Sequence, residues 1–397
     1  MKPGELLIHP PAPTPCRDIA PELAAAVLTV NLTNLQRNWR HLAALAEPAQ
    51  CAAVVKADAY GLGAEPCAKA LWAAGCRTFF VAVPSEGANL RNALPEATIF
   101  VLDGLLPGLG AYYAENRLTP ALAGPEEIDE WSDLARQRGH RLPAALHVDT
   151  GINRLGLAPA EVGVIADRLD GLDISLVMSH LACAEEPGSE MNERQRRLFD
   201  RLRALLPPAP ASLANSPSTL VSPDYAYDMV RPGVALYGGN PFADRPNPMA
   251  PVAHLSAVLL QVRELAAGDT VGYGAQWRAA RPSRIGVIGV GYRDGFCRAL
   301  AQSLPKAPAH VYIAGHFAPI VGRVSMDLIT IDLTDVPPEA ARRGARVELL
   351  GEHVTVDDVA RWAGTISYEI LTGLGSRFAR LYSSSDSPGS MSKKDQS

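Results

Sequence analysis

The chain is poor in lysine, and that scarcity makes the position of each one informative. Its only lysines are Lys2, Lys56, Lys69, Lys306, Lys393 and Lys394, so arginine supplies nearly all of the positive charge. There is no basic block and the formal net charge is −5, which argues against a nucleic-acid partner. No stretch approaches the roughly 20 consecutive apolar residues that a bilayer span needs, so no membrane partner is expected. The cysteines Cys16, Cys51, Cys67, Cys76, Cys183 and Cys297 are scattered without a C-x-x-C pair. That argues against structural disulfides and against a metal site, and it points to the cytoplasm. The N-terminal stretch carries Pro10, Pro11, Pro13, Pro15, Asp18 and Glu22 and does not read as a signal peptide.

What is present is an ordinary globular mixture, 47% hydrophobic and 20% charged over 397 residues. That length suits two domains, or one large barrel with a smaller module. After the proline-rich lead (1–26), Asn31 is placed to cap a helix with Leu32, Leu35, Trp39 and Leu42 at helical spacing. Short apolar runs then alternate with amphipathic helices. The runs are Cys51–Val55, Thr78–Val83, Thr98–Leu102, Leu118–Ala121, Leu142–Val148, Leu172–Met178, Ala211–Ala214 and Met229–Tyr237. Each has the length of a buried strand. Helices are expected to start at Pro125, burying Ile128, Trp131 and Leu134, and at Pro159, burying Val162, Ile165 and Leu169.

Eight such strands with crossover helices over residues 27–245 match a (β/α)8 TIM barrel, with a doubly wound sheet as the alternative α/β reading. Beyond the turn-rich 238–251 stretch, helical periodicity is lost until Val356–Trp362. The runs Ser256–Val262, Arg284–Val290, His310–Ile313 and Leu328–Leu333 are separated by Gly, Pro and Asp turns, so residues 246–382 read as a smaller, mainly β domain. The polar tail 383–397 reads as disordered.

In a TIM barrel the C-terminal strand ends face the active site. Those ends are expected to present Lys56, Asp149 with Arg154 in the next loop, His180, Asn215 with Ser216, and Arg231 with Gly233. Burying an ammonium is costly, so a lysine at the end of an apolar run suggests an imine to an aldehyde cofactor. Ser216 and the backbone near Gly233 are suited to phosphate. Singly, each residue has a plainer explanation: a solvated lysine, a structural histidine, an Asn-Ser-Pro turn. Gly289 and Gly291 before Tyr292 mimic part of a dinucleotide fingerprint but are read as a turn, because no strand–helix context follows. The joint arrival at successive strand ends carries the chemistry.

The run AVVKADAYGLGA (53–64) resembles the pyridoxal-phosphate attachment motif of alanine racemases. HVDTGINRLGL (147–157), SHLACAE (179–185), ANSPS (214–218) and RPGVALYG (231–238) resemble further motifs of that family, in order and spacing. So do VGYGAQW (271–277), GVGYRDGFCR (289–298), GRVSMD (322–327) and ISYEILTGLGSR (366–377), so that the resemblance covers about residues 27 to 382.

The resemblance implies interconversion of L- and D-alanine with pyridoxal 5'-phosphate as cofactor, serving peptidoglycan supply or alanine catabolism. Lys56 would hold the cofactor as an imine. Tyr60, Ser216, Tyr368 and the backbone at Gly233 and Val234 would hold its phosphate, with Asn215 alongside. Arg231 would face the pyridine nitrogen; a guanidinium does not readily give up its proton, so the ring would stay unprotonated and transamination would be suppressed. Arg154 would bond the phenolic oxygen and orient the substrate carboxylate. Lys56 and Tyr273 would be the two proton-transfer groups. A free lysine titrates at about 10.4 and a free tyrosine at about 10, and both values have to come down for the groups to act near neutrality. A chain from Tyr273 through His180 to Arg231 would favour the phenolate. Tyr273, Tyr292 and Met326 would reach the active site of the other subunit, which implies a homodimer with shared sites.

Three positions depart from the family pattern. His147 stands where many members have a lysine that becomes carbamylated and steadies the arginine numbered Arg154 here; a neutral histidine or a bound anion would have to take its place. Arg293 replaces a small residue, and Ser325 a frequent cysteine. Three other readings compete. A broader-specificity racemase taking serine or larger side chains would share the scaffold, though Tyr292, Met326 and Tyr368 would crowd the side chain and favour alanine. A non-catalytic pyridoxal-phosphate carrier would resemble only the barrel. A decarboxylase would need a cysteine and acid motif in the second domain that is not found.

Overall fold

The structure is a computed structural model that describes residues 19–169, 171–302 and 308–384. Most of the proline-rich lead, with Cys16, and the tail from residue 385 lie outside the described residues; Ser383, the expected start of that tail, ends a strand instead. The described chain divides into two compact units, one of residues 31–253 with 367–372, the other of residues 19–30, 254–366 and 373–382.

The first unit is a parallel barrel. Seven strands pair in strict sequence order: Ala53–Val54, Thr78–Val81, Thr98–Val101, Thr119–Leu122, Leu142–His147, Leu172–Met178 and Ala211–Ser212. The eighth, Met229–Val230, pairs in parallel with Gln50–Cys51, which leads into the first strand. Its other side is tied to the seventh by the Arg231 N–H donating to Ala214 O at 2.9 Å. Sequential order with closure excludes the doubly wound alternative, whose strand order reverses at a switch point. Near-continuous burial along the strands fits parallel pairing covered on both faces: all four residues of Thr78–Val81 and of Thr119–Leu122 are buried.

The expected helices form. Leu32–Ala46 is capped by Asn31, whose side chain accepts the Asn34 N–H at 2.9 Å. Pro125–Arg138 buries Ile128, Trp131 and Ala135, with Leu134 only partly covered, and Pro159–Ile165 buries Val162 and Ile165.

Several strands are shorter than expected: Thr78–Val83 forms only over Thr78–Val81, and Ala211–Ala214 only over Ala211–Ser212. Met229–Tyr237 pairs only over Met229–Val230, because Pro232 has no N–H to give and the N–H groups of Gly233 and Ala235 turn to the Ser216 hydroxyl at 2.8 and 3.3 Å. Val234–Tyr237 then forms a 3-10 turn.

The second unit is mainly β, as expected. Its eight-stranded sheet is built on the long strand Ala253–Leu265. The anticipated strands appear as Ser283–Ile288, His310–Ile313 and Ile329–Asp332, joined by His316–Pro319 and Arg346–Leu350. The helix Val356–Ala363 starts at a reciprocal Thr355–Asp358 capping box. Two segments fall on a different side from a simple cut near residue 245. Ala26–Asn31 is a strand of this sheet, between Ala253–Leu265 and Ala379–Ser383, and the short helix Ser367–Thr372, carrying Tyr368, belongs with the barrel unit.

Candidate active site

Lys56 follows directly on the first strand, and the backbone beyond it is unusual. Ala57, Asp58, Ala59 and Tyr60 all take left-handed conformations, with φ of 51°, 57°, 53° and 56°. Each such non-glycine residue costs about 1–2 kcal/mol, so the turn needs external support. It comes from Glu86, whose carboxylate accepts the Ala57 N–H at 2.7 Å and the Ala82 N–H at 2.9 Å, and from Asp58, which accepts the Ala64 N–H at 2.8 Å. The turn brings Lys56 and Tyr60 to one cavity. Replacing Glu86 with alanine leaves two backbone donors without their acceptor, and a loss of about 1–3 kcal/mol in urea-unfolding free energy is expected. Unchanged stability would mean that the turn holds itself.

That cavity, about 540 Å³, opens at the C-terminal ends of the barrel strands. Besides Lys56 and Tyr60, its walls include Arg154, His180, Asn215, Ser216, Arg231 and Tyr368, with Gly233 and Val234. Burial, and then the Arg154 charge, push the Lys56 pKa down, while Asp103 and Glu86 pull it part of the way back. The amine is therefore biased toward its neutral, nucleophilic form. Arg231 is 4% exposed, and burial draws its pKa down to about 10, which still leaves it charged at neutral pH. Its guanidinium donates to Ser179 O at 2.6 Å and to the Ser212 hydroxyl.

Part of the cavity wall is a set of hydroxyl donors. The Ser216 oxygen accepts from the Gly233 and Ala235 N–H groups, so its own O–H remains to donate. Tyr60 stacks on Tyr237 with ring centroids 4.7 Å apart, and Tyr368 lies 6.0 Å from Tyr60. Burial raises the Tyr60 phenol and takes Tyr368 up to about 12, so both keep their protons to donate. Gly233 is required here: a Cβ would collide with the Tyr60 hydroxyl. Neutral O–H groups gathered around the Gly233 backbone suit a phosphate dianion, and a partly buried amine lining the same cavity suits an aldehyde. The residues fit pyridoxal phosphate.

His147 also lines the cavity, with neither ring nitrogen hydrogen-bonded among the described residues. Burial, then Arg231 and Arg154, bring its pKa down to about 4, and similar causes bring His180 down to about 3. Both histidines are therefore neutral at physiological pH. Their neutrality makes stability depend on pH. Below the unfolded value of about 6.5, the unfolded chain takes up these protons before the native one, so stability present above that pH falls as pH drops. Each histidine should contribute a slope of about 1.4 kcal/mol per pH unit between about pH 6.5 and 5, above the carboxylate range. Urea melts of His147→Gln should show one proton's worth less slope; an unaltered slope would refute the neutral assignment.

Tyr273, Tyr292 and Met326 are in the other unit and do not line this cavity; they are 71%, 41% and 53% exposed. Two functional residues were missed in the sequence. Asp103 borders the cavity at the end of the third strand, where the strand-end rule would have found it. Glu86 reads in sequence only as an acidic residue in a first helical turn, and nothing local signals its bond to Ala57.

Two family models together match most of the chain. "Alanine racemase, N-terminal domain" matches residues 30–241, and "Alanine racemase, C-terminal domain" matches residues 252–382. An alanine racemase of Methylobacterium sp. (strain 4-46) is 52% identical, covering 90% of this chain and 97% of that protein. A biosynthetic alanine racemase of Agrobacterium fabrum is 46% identical over 91% of this chain and 94% of its own length. A catabolic one of Mesorhizobium japonicum is also 46% identical, over 90% and 93%. Among solved structures, alanine racemase from Bartonella henselae with covalently bound pyridoxal phosphate superposes with a TM-score of 0.85 at 38% identity, covering 90% of this chain and 99% of that one.

Proposed function

The chain belongs to the alanine racemase family, and from that premise we propose that it interconverts L- and D-alanine, using pyridoxal phosphate held at Lys56. The observation that carries this reading is a single cavity lined both by a desolvated lysine and by the Ser216–Gly233 donor set. When bound, the cofactor supplies an aldehyde for an amine and a conjugated ring that takes up electron density as Cα loses its proton.

The residues divide the remaining work. Ser216, Tyr60, Tyr368 and the backbone at Gly233 and Val234 hold the phosphate, with Asn215 beside them. Arg231, braced by Ser179 and Ser212, would meet the ring nitrogen and, keeping its own proton, would leave that nitrogen unprotonated. Arg154 takes the phenolic oxygen and the substrate carboxylate. Asp149 supports the Arg154 loop, accepting the N–H groups of Gly151, Ile152 and Asn153 at 2.8, 3.1 and 3.2 Å. His147, neutral in place of a charged partner, leaves Arg154 to be oriented by that loop.

Lys56 moves the Cα proton on one face of the substrate, and the phenol of Tyr273 moves it on the other. We assign Tyr273 to the partner subunit, with Tyr292 and Met326 from the same subunit bordering the substrate side chain. Large apolar groups as exposed as these support a covering partner, and the assembly is a homodimer with shared sites. We place the reaction in the cytoplasm, serving either cell-wall D-alanine or alanine catabolism, a compartment that the scattered cysteines without a C-x-x-C pair support.

The deciding assay incubates purified protein with L-alanine and follows D-alanine, with and without added pyridoxal phosphate. Cofactor-dependent equalisation of the two enantiomers is the expected result. A colourless protein that leaves L-alanine untouched after reconstitution would overturn the proposal. Relative turnover of alanine, serine and lysine separates it from a broader-specificity racemase.

A further inference from the structure

Two turns of the β unit carry the side chains assigned to the substrate, and one arginine joins them. Tyr292 lies in the turn Gly291–Gly295, and Met326 at the tip of the turn closed by the Ser325 N–H donating to Leu328 O at 2.9 Å. The backbones of the two turns meet directly. The Tyr292 N–H donates to Ser325 O at 3.0 Å and the Arg293 N–H to Met326 O at 3.1 Å. Gly291 makes this approach possible, since a Cβ there would collide with the carbonyl oxygens of Ser325 and Met326.

Arg377, from a third segment, then bridges the pair. Its Nε and Nη2 donate to the two carboxylate oxygens of Asp294 at 2.7 and 2.9 Å, and its Nη1 pairs with Asp327 at 2.8 Å. Asp294 is buried and also accepts the Gly291 N–H at 3.0 Å, so the fork grips the base of the Tyr292 turn. Asp327 is the residue next to Met326. The third segment is anchored in turn by the Gly375 N–H on Asp294 O at 3.0 Å. The arginine is about half exposed: its pair with the exposed Asp327 adds little to global stability, whereas the buried Asp294 carboxylate depends on the fork for its neutralisation. What a planar fork contributes is geometry: it holds two carboxylates at a fixed separation, which a lysine ammonium does not.

We propose that Arg377 is a positioning residue for substrate selection, locking the Tyr292 and Met326 turns together and thereby setting the width of the gap that receives the substrate side chain. The proposal rests on the assignment of Tyr292 and Met326 to the border of the substrate. A loosened gap binds alanine less well and excludes serine less well, while the proton-transfer groups stay in place.

The test uses the reconstituted holoenzyme. Arg377→Met should raise the KM for L-alanine about tenfold with kcat within about threefold, and should raise the serine-to-alanine ratio of kcat/KM by about fivefold. Arg377→Lys should fall between parent and methionine variant. Asp327→Asn, which loosens only the Met326 side, should shift the ratio in the same direction, and it carries the test if Arg377→Met does not fold. Amide exchange at residues 291–295 and 325–328 should quicken in the Arg377 variants. An unchanged KM and ratio in these variants, or a fall in kcat alone with the ratio intact, overturns the proposal. Met326→Ala separates the two ideas. If it shifts the ratio and the Arg377 variants do not, the clamp is wrong and the placement of Met326 stands; if nothing shifts it, the placement itself is wrong.

Discussion

Replacing Lys56 with alanine is expected to cut racemisation by at least about four orders of magnitude, because one change removes both the covalent anchor and a proton-transfer group. Stability should hold or rise. The amine lies where burial and the Arg154 charge disfavour its protonated form, so deleting it relieves a cost. Circular dichroism and a urea melt would check that point. Borohydride treatment of the parent in the presence of pyridoxal phosphate should fix a phosphopyridoxyl group on the peptide containing Lys56, and the variant should take no label. Arginine at the same position should fare no better than alanine, since a guanidinium keeps its proton and does not add to an aldehyde. Added methylamine should restore a small part of the activity to the alanine variant. Label on another residue, or turnover by the alanine variant within tenfold of the parent, would remove Lys56 from the chemistry.

The second large effect is expected at Tyr273, and its form is diagnostic. Replacement by phenylalanine keeps the ring and removes the proton carrier, with an expected loss of about 10²–10⁴ in racemisation. Net rates cannot reveal which face is affected. Alanine enantiomers are equal in free energy, so kcat/KM must stay equal in the two directions whatever residue is changed. Exchange of the Cα hydrogen with deuterated solvent escapes that constraint. With Lys56 intact, one enantiomer should go on exchanging at a rate near the parent's and keep its configuration, while exchange from the other should fall with the racemisation rate. Equal, small losses for both enantiomers would count against a two-sided mechanism with Tyr273 on one side. In the parent, a specific activity that falls on dilution would show that the phenol arrives from a second subunit.

Legibility from sequence followed the physics of each element. The barrel strands are short apolar runs buried on both faces, and that pattern survives in a one-dimensional reading: Thr78–Val81 and Leu172–Met178 formed within two residues of their expected ends. Proline at a first helical turn located Pro125–Arg138 and Pro159–Ile165 in the same way. Strand ends then gave the cavity wall, since parallel barrels deliver those ends to one mouth. Tyr60 and Tyr368 entered only through family resemblance, because their place depends on a left-handed turn and on a six-residue helix that joins the barrel from late in the chain. The strand Ala26–Asn31 was missed because its partners, Ala253–Leu265 and Ala379–Ser383, are remote in sequence and leave no local mark. Glu86 and Arg377 belong to the same class. Both look like surface charges until long-range contacts give them backbone amides or a pair of carboxylates to hold.

The placement of Ala26–Asn31 has a consequence for biogenesis. Translation delivers this segment early, yet one neighbour emerges only from residue 253 onward and the other only from residue 379 onward, more than 200 and 340 residues later. The eight barrel strands are complete after residue 230, so a nascent polypeptide can close its ring of parallel strands while the early segment waits for its neighbours in the other sheet. Ribosomes stalled short of residue 379 would expose it as an open template for intermolecular pairing, and shortened products of this gene should aggregate more readily than the full-length protein.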